Sequence, residues 1–193
     1  MSSLIANPTH MVIALSWLAF LLYWSISAFK ARPAGKARHG AASLLMILAI
    51  CALFWLLRET SFAGGIDAEL WQGSLAIGIA ADVLALLGVG VIIWARRTLG
   101  LNWSGNVAVA RGQELVQDGP YKRVRHPIYS GFILMVAGTA AAYGRLMGIL
   151  ILGICAAGLW LKASREEVVL ARHFPATYGR YRATTKAFIP HIL

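Results

Sequence analysis

The chain is short of charge, and of acid above all. Only 13% of its 193 residues are charged, and eight Asp or Glu stand against 18 Lys or Arg. Ordinary soluble domains are about 25% charged. Cysteine is nearly absent. Cys51 and Cys155 lie in separate apolar runs, and neither has a second cysteine at metal or redox spacing. Both read as packing residues. His173 and His191 have no companions at metal-ligand spacing, so no metal site is expected. There is no low-complexity segment, linker or repeat, and no pattern that sets an oligomeric state. By length this is one domain, with a three-helix membrane part (1–95) and a motif-bearing part (96–193).

What is abundant is apolar sequence. The chain is 59% hydrophobic, and the apolar residues come in long runs. The class this implies is all-α, an integral membrane bundle of about five helices. The runs are Thr9–Phe29, Ala41–Leu57, Leu70–Ala95, Ile128–Tyr143 and Leu146–Ala163. A spanning helix needs roughly 20 residues, which the first three approach or reach. The last two are short and separated only by Gly144-Arg145, so they read as a tight hairpin. Gly144 and Gly148 form a G-x-x-x-G pair suited to close packing there. The first run is no cleavable leader, because its basic residues follow the apolar stretch.

Lys and Arg set the expected orientation. Four lie in 30–40, six in 96–127 and six in the tail, so five spans place 16 of the 18 on one side. Only Arg58 and Arg145 fall opposite, with Glu59, Asp67 and Glu69. The expected topology is multi-pass, N-terminus outside and C-terminus cytoplasmic. The charge of +10 then reflects contact with anionic lipid headgroups. It is spread over membrane-proximal loops, a poor layout for nucleic acid.

Chemistry-bearing residues concentrate after Arg96. Val107–Val116 alternates apolar and polar residues and reads as extended. Gln117-Asp118-Gly119-Pro120 is a turn signal. His126-Pro127 opens the fourth helix, since Pro is tolerated at a first helical position. The turn Pro127–Gly131 offers free N–H groups to a polar ligand. The hairpin returns its far end, Lys162, Arg165, Glu166 and Glu167, to the same face. Taken singly, Lys122, Arg123 and Arg125 read as juxtamembrane anchors. Asp82, mid-run, is a functional candidate by default but reads here as a bundle-interior residue.

The ordered set Leu99-Gly100, Trp103-Ser104, Glu114-Leu115-Val116, Gly119-Pro120-Tyr121, Arg125-His126-Pro127-Ile128-Tyr129-Ser130-Gly131, Glu166-Glu167, Tyr178, Tyr181 and Ile189-Pro190 resembles the isoprenylcysteine carboxyl methyltransferase family. Phospholipid methyltransferases are its relatives. The resemblance covers about residues 98–190. It implies an S-adenosylmethionine-dependent membrane enzyme with a cytoplasmic cofactor-binding loop and a helical C-terminal tail. It assigns Gln113, Glu114, Leu115, Val116, Tyr121, His126, Pro127, Ile128, Tyr129 and Glu166 to the cofactor. Lys162 matches the substrate-side cation, with Arg165 as its alternative.

Methyl transfer from a sulfonium needs alignment above all. A carboxylate acceptor needs an orienting cation, Lys162 or Arg165. An amine acceptor needs a base, for which Glu167 and His126 are candidates. The expected partners are membrane lipids and a lipid-like or prenylated small molecule, with carboxyl O-methylation favoured over phospholipid N-methylation. A sterol-reductase-like enzyme using NADPH and a non-enzymatic membrane protein are the rival classes.

Overall fold

The structure is a computed structural model and describes residues 8–29, 68–103 and 114–190. Its regular elements there are helical. Helix α1 spans Pro8–Phe29, α2 Leu75–Leu99, α3 Pro127–Tyr143, α4 Leu146–His173 and α5 Tyr178–Thr184. Single 3-10 turns occupy Gly100–Asn102 and Gly119–Lys122. Helices α1, α2 and α4 are long and apolar enough to cross a membrane, and α3 is a shorter apolar helix of 17 residues. The run Ala41–Leu57, Cys51 and most of Val107–Val116 lie outside the described residues.

The helix bounds differ from the apolar runs for local reasons. The third run starts at Leu70, yet α2 starts at Leu75, because Ser74 caps it by accepting from Ile77 N at 3.3 Å. Residues 68–71 instead clasp the α3–α4 turn. Leu70 N donates to Gly144 O and Leu146 N to Ala68 O. Trp71 Nε1 donates to Ala141 O at 3.0 Å. Gly144 ends α3 at φ +63°, where a side chain would be strained and would also strike Trp71 O. It is a turn residue, while Gly148 lies against Ala140.

The last run continues past Ala163 to His173. At 1.5 Å per residue α4 is about 42 Å long, against a hydrocarbon layer of about 30 Å. Its final turns therefore project beyond the apolar layer and carry Lys162, Arg165, Glu166 and Glu167 with them.

The core is built from one stripe per helix. Ile13, Trp17 and Phe20 on α1 meet Ala85, Val89 and Ile92 on α2, and Met135 and Val136 on α3. The tightest pairing is α2 with α3, and glycine makes it possible. A Cβ on Gly131 would lie 2.6 Å from Gly88 O, and one on Gly138 would lie 2.6 Å from Ala81 O. Membrane helices approach this closely only through small residues. A buried polar link crosses the core. Trp17 Nε1 donates to Thr139 Oγ1 at 3.0 Å, and that hydroxyl donates on to Met135 O.

Two charged groups sit within this frame. Arg96 is 4% exposed and ties three pieces of chain together. It donates to Gly100 O and to Ser27 O, and its guanidinium lies 4.4 Å from the Trp103 ring centre. Asp82 is 14 positions earlier, about 21 Å away along the helix. Its Oδ1 is buried without a hydrogen-bond partner among the described residues.

Candidate active site

The end of the bundle that bears His126 is assembled by three short segments. The 3-10 turn Gly119–Lys122 uses Gly119 at φ +56° and Pro120 at its start. The strap 185–188 runs beside 124–126: Arg125 N donates to Lys186 O at 2.8 Å and His126 N to Ala187 O at 3.0 Å. Ser130 Oγ reaches Phe188 O at 2.7 Å. Helix α5 is pinned by Tyr181, whose hydroxyl donates to Tyr121 O at 2.8 Å. These contacts fix where His126 enters α3.

Glu166 and Glu167 come up from α4 into this frame and divide the cations between them. Glu167 is heavily engaged. Its Oε1 accepts from Arg125 Nε at 2.8 Å and lies 3.2 Å from His126 Nε2. Its Oε2 pairs with Arg182 Nε at 3.3 Å. Glu166 is held more loosely. Its Oε1 accepts from the Tyr129 hydroxyl at 2.6 Å and has Lys162 Nζ at 3.9 Å. Its Oε2 has His126 Nδ1 at 3.8 Å, beyond hydrogen-bond range. The Glu166 side chain is 25% exposed and that of Glu167 11%. The pair thus presents one saturated carboxylate and one with a free, reachable oxygen.

Aromatic rings back the pair. His126 and Tyr129 stack at 5.4 Å with planes 3° apart. Lys162 Nζ lies 5.2 Å from the Tyr129 ring centre. Phe188 packs on Trp160 at 5.6 Å and on His126 at 5.8 Å. Burial pushes the Tyr121 hydroxyl far above its ordinary range, and neighbouring Tyr181 adds to this. Tyr181 is likewise raised, first by burial and then by Tyr178. Both stay neutral donors at physiological pH.

Of the residues singled out from sequence, His126, Tyr129, Lys162, Glu166 and Glu167 meet in one cluster. Tyr121 sits beside it, within electrostatic reach of both Glu166 and Arg96. Pro127 is buried and Ile128 half-buried in the first turn of α3. Arg165 is exposed and makes no described contact with the cluster. Gln113 lies outside the described residues. Glu114 is exposed, with its N–H on Asn102 Oδ1 at 3.1 Å, and Leu115 and Val116 are half-buried. The first turn of α3 is filled from within. Tyr129 N and Ser130 N both donate to His126 O at 3.0 Å, and Gly131 packs on Gly88. Of the helix start expected to be open at Pro127–Gly131, Ile128 N–H keeps no described backbone partner.

Sequence reasoning missed the counter-cations. Arg125 reads as a lipid anchor, yet its side chain is only 11% exposed and grips Glu167. Arg182 reads as one basic residue in a basic tail. The usable signal was one of scarcity: two adjacent carboxylates in a chain of only eight acids need partners, and Arg125 adjoins the histidine that faces them. Among the described residues no three His, Cys, Asp or Glu side chains group as a metal site.

A membrane helix bundle with a carboxylate pair, a histidine and a tyrosine gathered at one end is an integral membrane protein with one chemically equipped face. Residues 76–177 match the family model described as phospholipid methyltransferase, and the chain belongs to that family of membrane methyltransferases. It is 31% identical over 109 residues to the uncharacterized protein YpbQ of Bacillus subtilis, covering 55% of this chain and 61% of that one. It is 33% identical over 99 residues to the protein-S-isoprenylcysteine O-methyltransferase of Schizosaccharomyces pombe, covering 48% and 41%. Over 123 residues it is 31% identical to the cobalt-zinc-cadmium resistance protein CzcN of Cupriavidus metallidurans, covering 63% and 54%. The chain spans about half the length of the curated relatives it matches.

Proposed function

We propose that the protein transfers a methyl group from S-adenosylmethionine to an amphiphilic acceptor, with a carboxylate as the methylated group. The observation that carries this reading is the unequal Glu166–Glu167 pair. A carboxylate that is partly exposed and has a free oxygen suits an ammonium group, through charge-assisted hydrogen bonds. Glu166 is such a group, and the Tyr129 hydroxyl holds it in place. These residues fit the amino-acid portion of S-adenosylmethionine. Bound there, the cofactor supplies an electrophilic methyl on a sulfonium.

The chain's own residues then align and orient. Glu167 acts as a strut: with Arg125, His126 and Arg182 on its two oxygens, it locks α4 to α3 and α5. A carboxylate so occupied is a poor base, and His126, between two carboxylates, is engaged as well. A base is what an amine acceptor would require. A carboxylate acceptor requires only a cation, and Lys162 is that cation, half-exposed above the Tyr129 ring. Arg165 faces away. The name of the fission-yeast relative supports the same acceptor chemistry, while the family description keeps a phospholipid amine as the alternative. The reading also places the N-terminus outside and this site on the cytoplasmic face, supported by the distribution of Lys and Arg.

Calorimetry on purified protein tests the core of the proposal. S-adenosylmethionine should bind, NADPH should not, and Glu166→Ala should weaken binding at least about ten-fold, the usual size of one charged hydrogen bond. Binding of NADPH alone would move the protein to the reductase class. Equal affinity in wild type, Glu166→Ala and His126→Ala would remove the cofactor from this cluster.

A further inference from the structure

A second feature lies on the other side of Glu167. Between α4 and α5 is an open cleft of about 540 Å³, lined by Ser164, Glu167, Val168, Ala171, Arg172 and Arg182. Its basic groups are underused. Arg182 is 63% exposed and spends only its Nε on Glu167. Arg172 is exposed and has no described partner. The one carboxylate present, Glu167, is already neutralised by Arg125 and Arg182. The cleft is therefore net positive.

The cleft is also continuous with the lipid-facing side of α4. Leu150 (44% exposed), Ile154 (72%), Leu161 (60%) and Val168 (51%) recur at helical spacing, so they lie on one stripe. That stripe runs down the membrane-spanning part of α4 and ends between Ser164 and Arg172. Some 20 residues of α4 fill the hydrocarbon layer, so Arg172 lies about 10 Å past it, from where its long side chain reaches back to the headgroups.

We infer that this cleft is a binding site for an anionic glycerophospholipid. Its phosphate lies between Arg172 and Arg182, and an acyl chain lies along the Leu150–Val168 stripe. Two guanidinium groups are the side chains best matched to a phosphate, and an apolar stripe leading out of the cleft matches a lipid and not a free anion. The site is separate from the methyl-acceptor position beside Lys162. It shares only Arg182 and Glu167 with the cluster, so an occupied cleft would brace the same strut from outside. Binding of the lipid does not depend on the methyl-transfer reading.

The experiment uses the full chain in nanodiscs of equimolar phosphatidylglycerol and phosphatidylcholine. Lipid retained after extraction is counted by native mass spectrometry. The wild type should retain phosphatidylglycerol preferentially. Arg172→Gln, an exposed substitution, should lower that preference about five-fold, the worth of one basic residue at an anionic surface, while S-adenosylmethionine binding stays as in wild type. Thermal stability should rise in phosphatidylglycerol discs for the wild type and not for Arg172→Gln. Undiminished preference in both Arg172→Gln and Arg172→Glu would overturn the site. Soluble glycerol 3-phosphate giving the same stabilisation in phosphatidylcholine discs would overturn the lipid as occupant.

Discussion

Two neighbouring glutamates on one helix turn have been given different work. Consecutive helical residues point about 100° apart, so one position decides which cations each side chain meets. Glu167 turns toward Arg125 and Arg182, and Glu166 toward Tyr129 and Lys162. The sequence marks the pair as important but is symmetric about it. The asymmetry comes mostly from partners distant in the chain, which no local pattern encodes. Lys162 follows a simpler logic. It stands one turn before Glu166, with a 45% exposed side chain, and its ammonium meets Glu166 at 3.9 Å and the face of the Tyr129 ring. Lys162→Ala should lower kcat/KM for the acceptor about ten-fold or more, as expected for a lost charged contact. Affinity for S-adenosylmethionine should change little. Steady-state kinetics together with calorimetry check this. A fully active variant, or a rate that climbs with pH as an acceptor amine deprotonates, would shift the reading to N-methylation.

At the scale of the element, the decisive pairing is α2 against α3. It was only partly legible. The apolar runs reveal that both helices exist, and Gly131 stands out beside the His-Pro motif, where it reads equally as room for a ligand. The structure puts Gly88 there instead. A single sequence cannot show which two glycines of 19 face each other, because pairing is set by helix rotation and not by spacing along the chain. This contact makes a direct stability prediction. Gly88→Ala would drive a Cβ to 2.6 Å from Gly131 O and 2.9 Å from Met135 N, both backbone atoms. It should cost about 1–3 kcal/mol, the usual range for overpacking, and lower the melting temperature in detergent. Gly90, two residues on, has open space for 4 Å around the point a Cβ would occupy. Gly90→Ala should be neutral or stabilising by about 0.5–1 kcal/mol, since alanine is the better helix former. Equal melting of the two variants would mean that the helices do not cross at Gly88.

For the whole molecule, the chemistry sits at one end and the clasp of residues 68–71 on the α3–α4 turn at the other. Charge follows the same division. The end with the Glu166–Glu167 pair carries Arg96, Arg97, Arg125, Lys162 and the basic tail, while Arg145 lies with Glu69 at the clasp. Such asymmetry orients membrane proteins with the basic end toward the cytoplasm. It also depends on the run Ala41–Leu57 crossing the membrane, so that loop 30–40 and the active face share a side. Single cysteines, in a background with Cys51 and Cys155 replaced, test this. Gly73 and Gly179 have open space around them and lie at opposite ends of the bundle, and Gly35 lies in the basic loop. In intact cells a membrane-impermeant maleimide should label Gly73→Cys alone. After permeabilisation it should label Gly35→Cys and Gly179→Cys as well. Labelling of Gly35→Cys together with Gly73→Cys would show that the second run does not cross. Labelling of Gly179→Cys in intact cells would put the carboxylate pair outside, away from any cytoplasmic supply of cofactor.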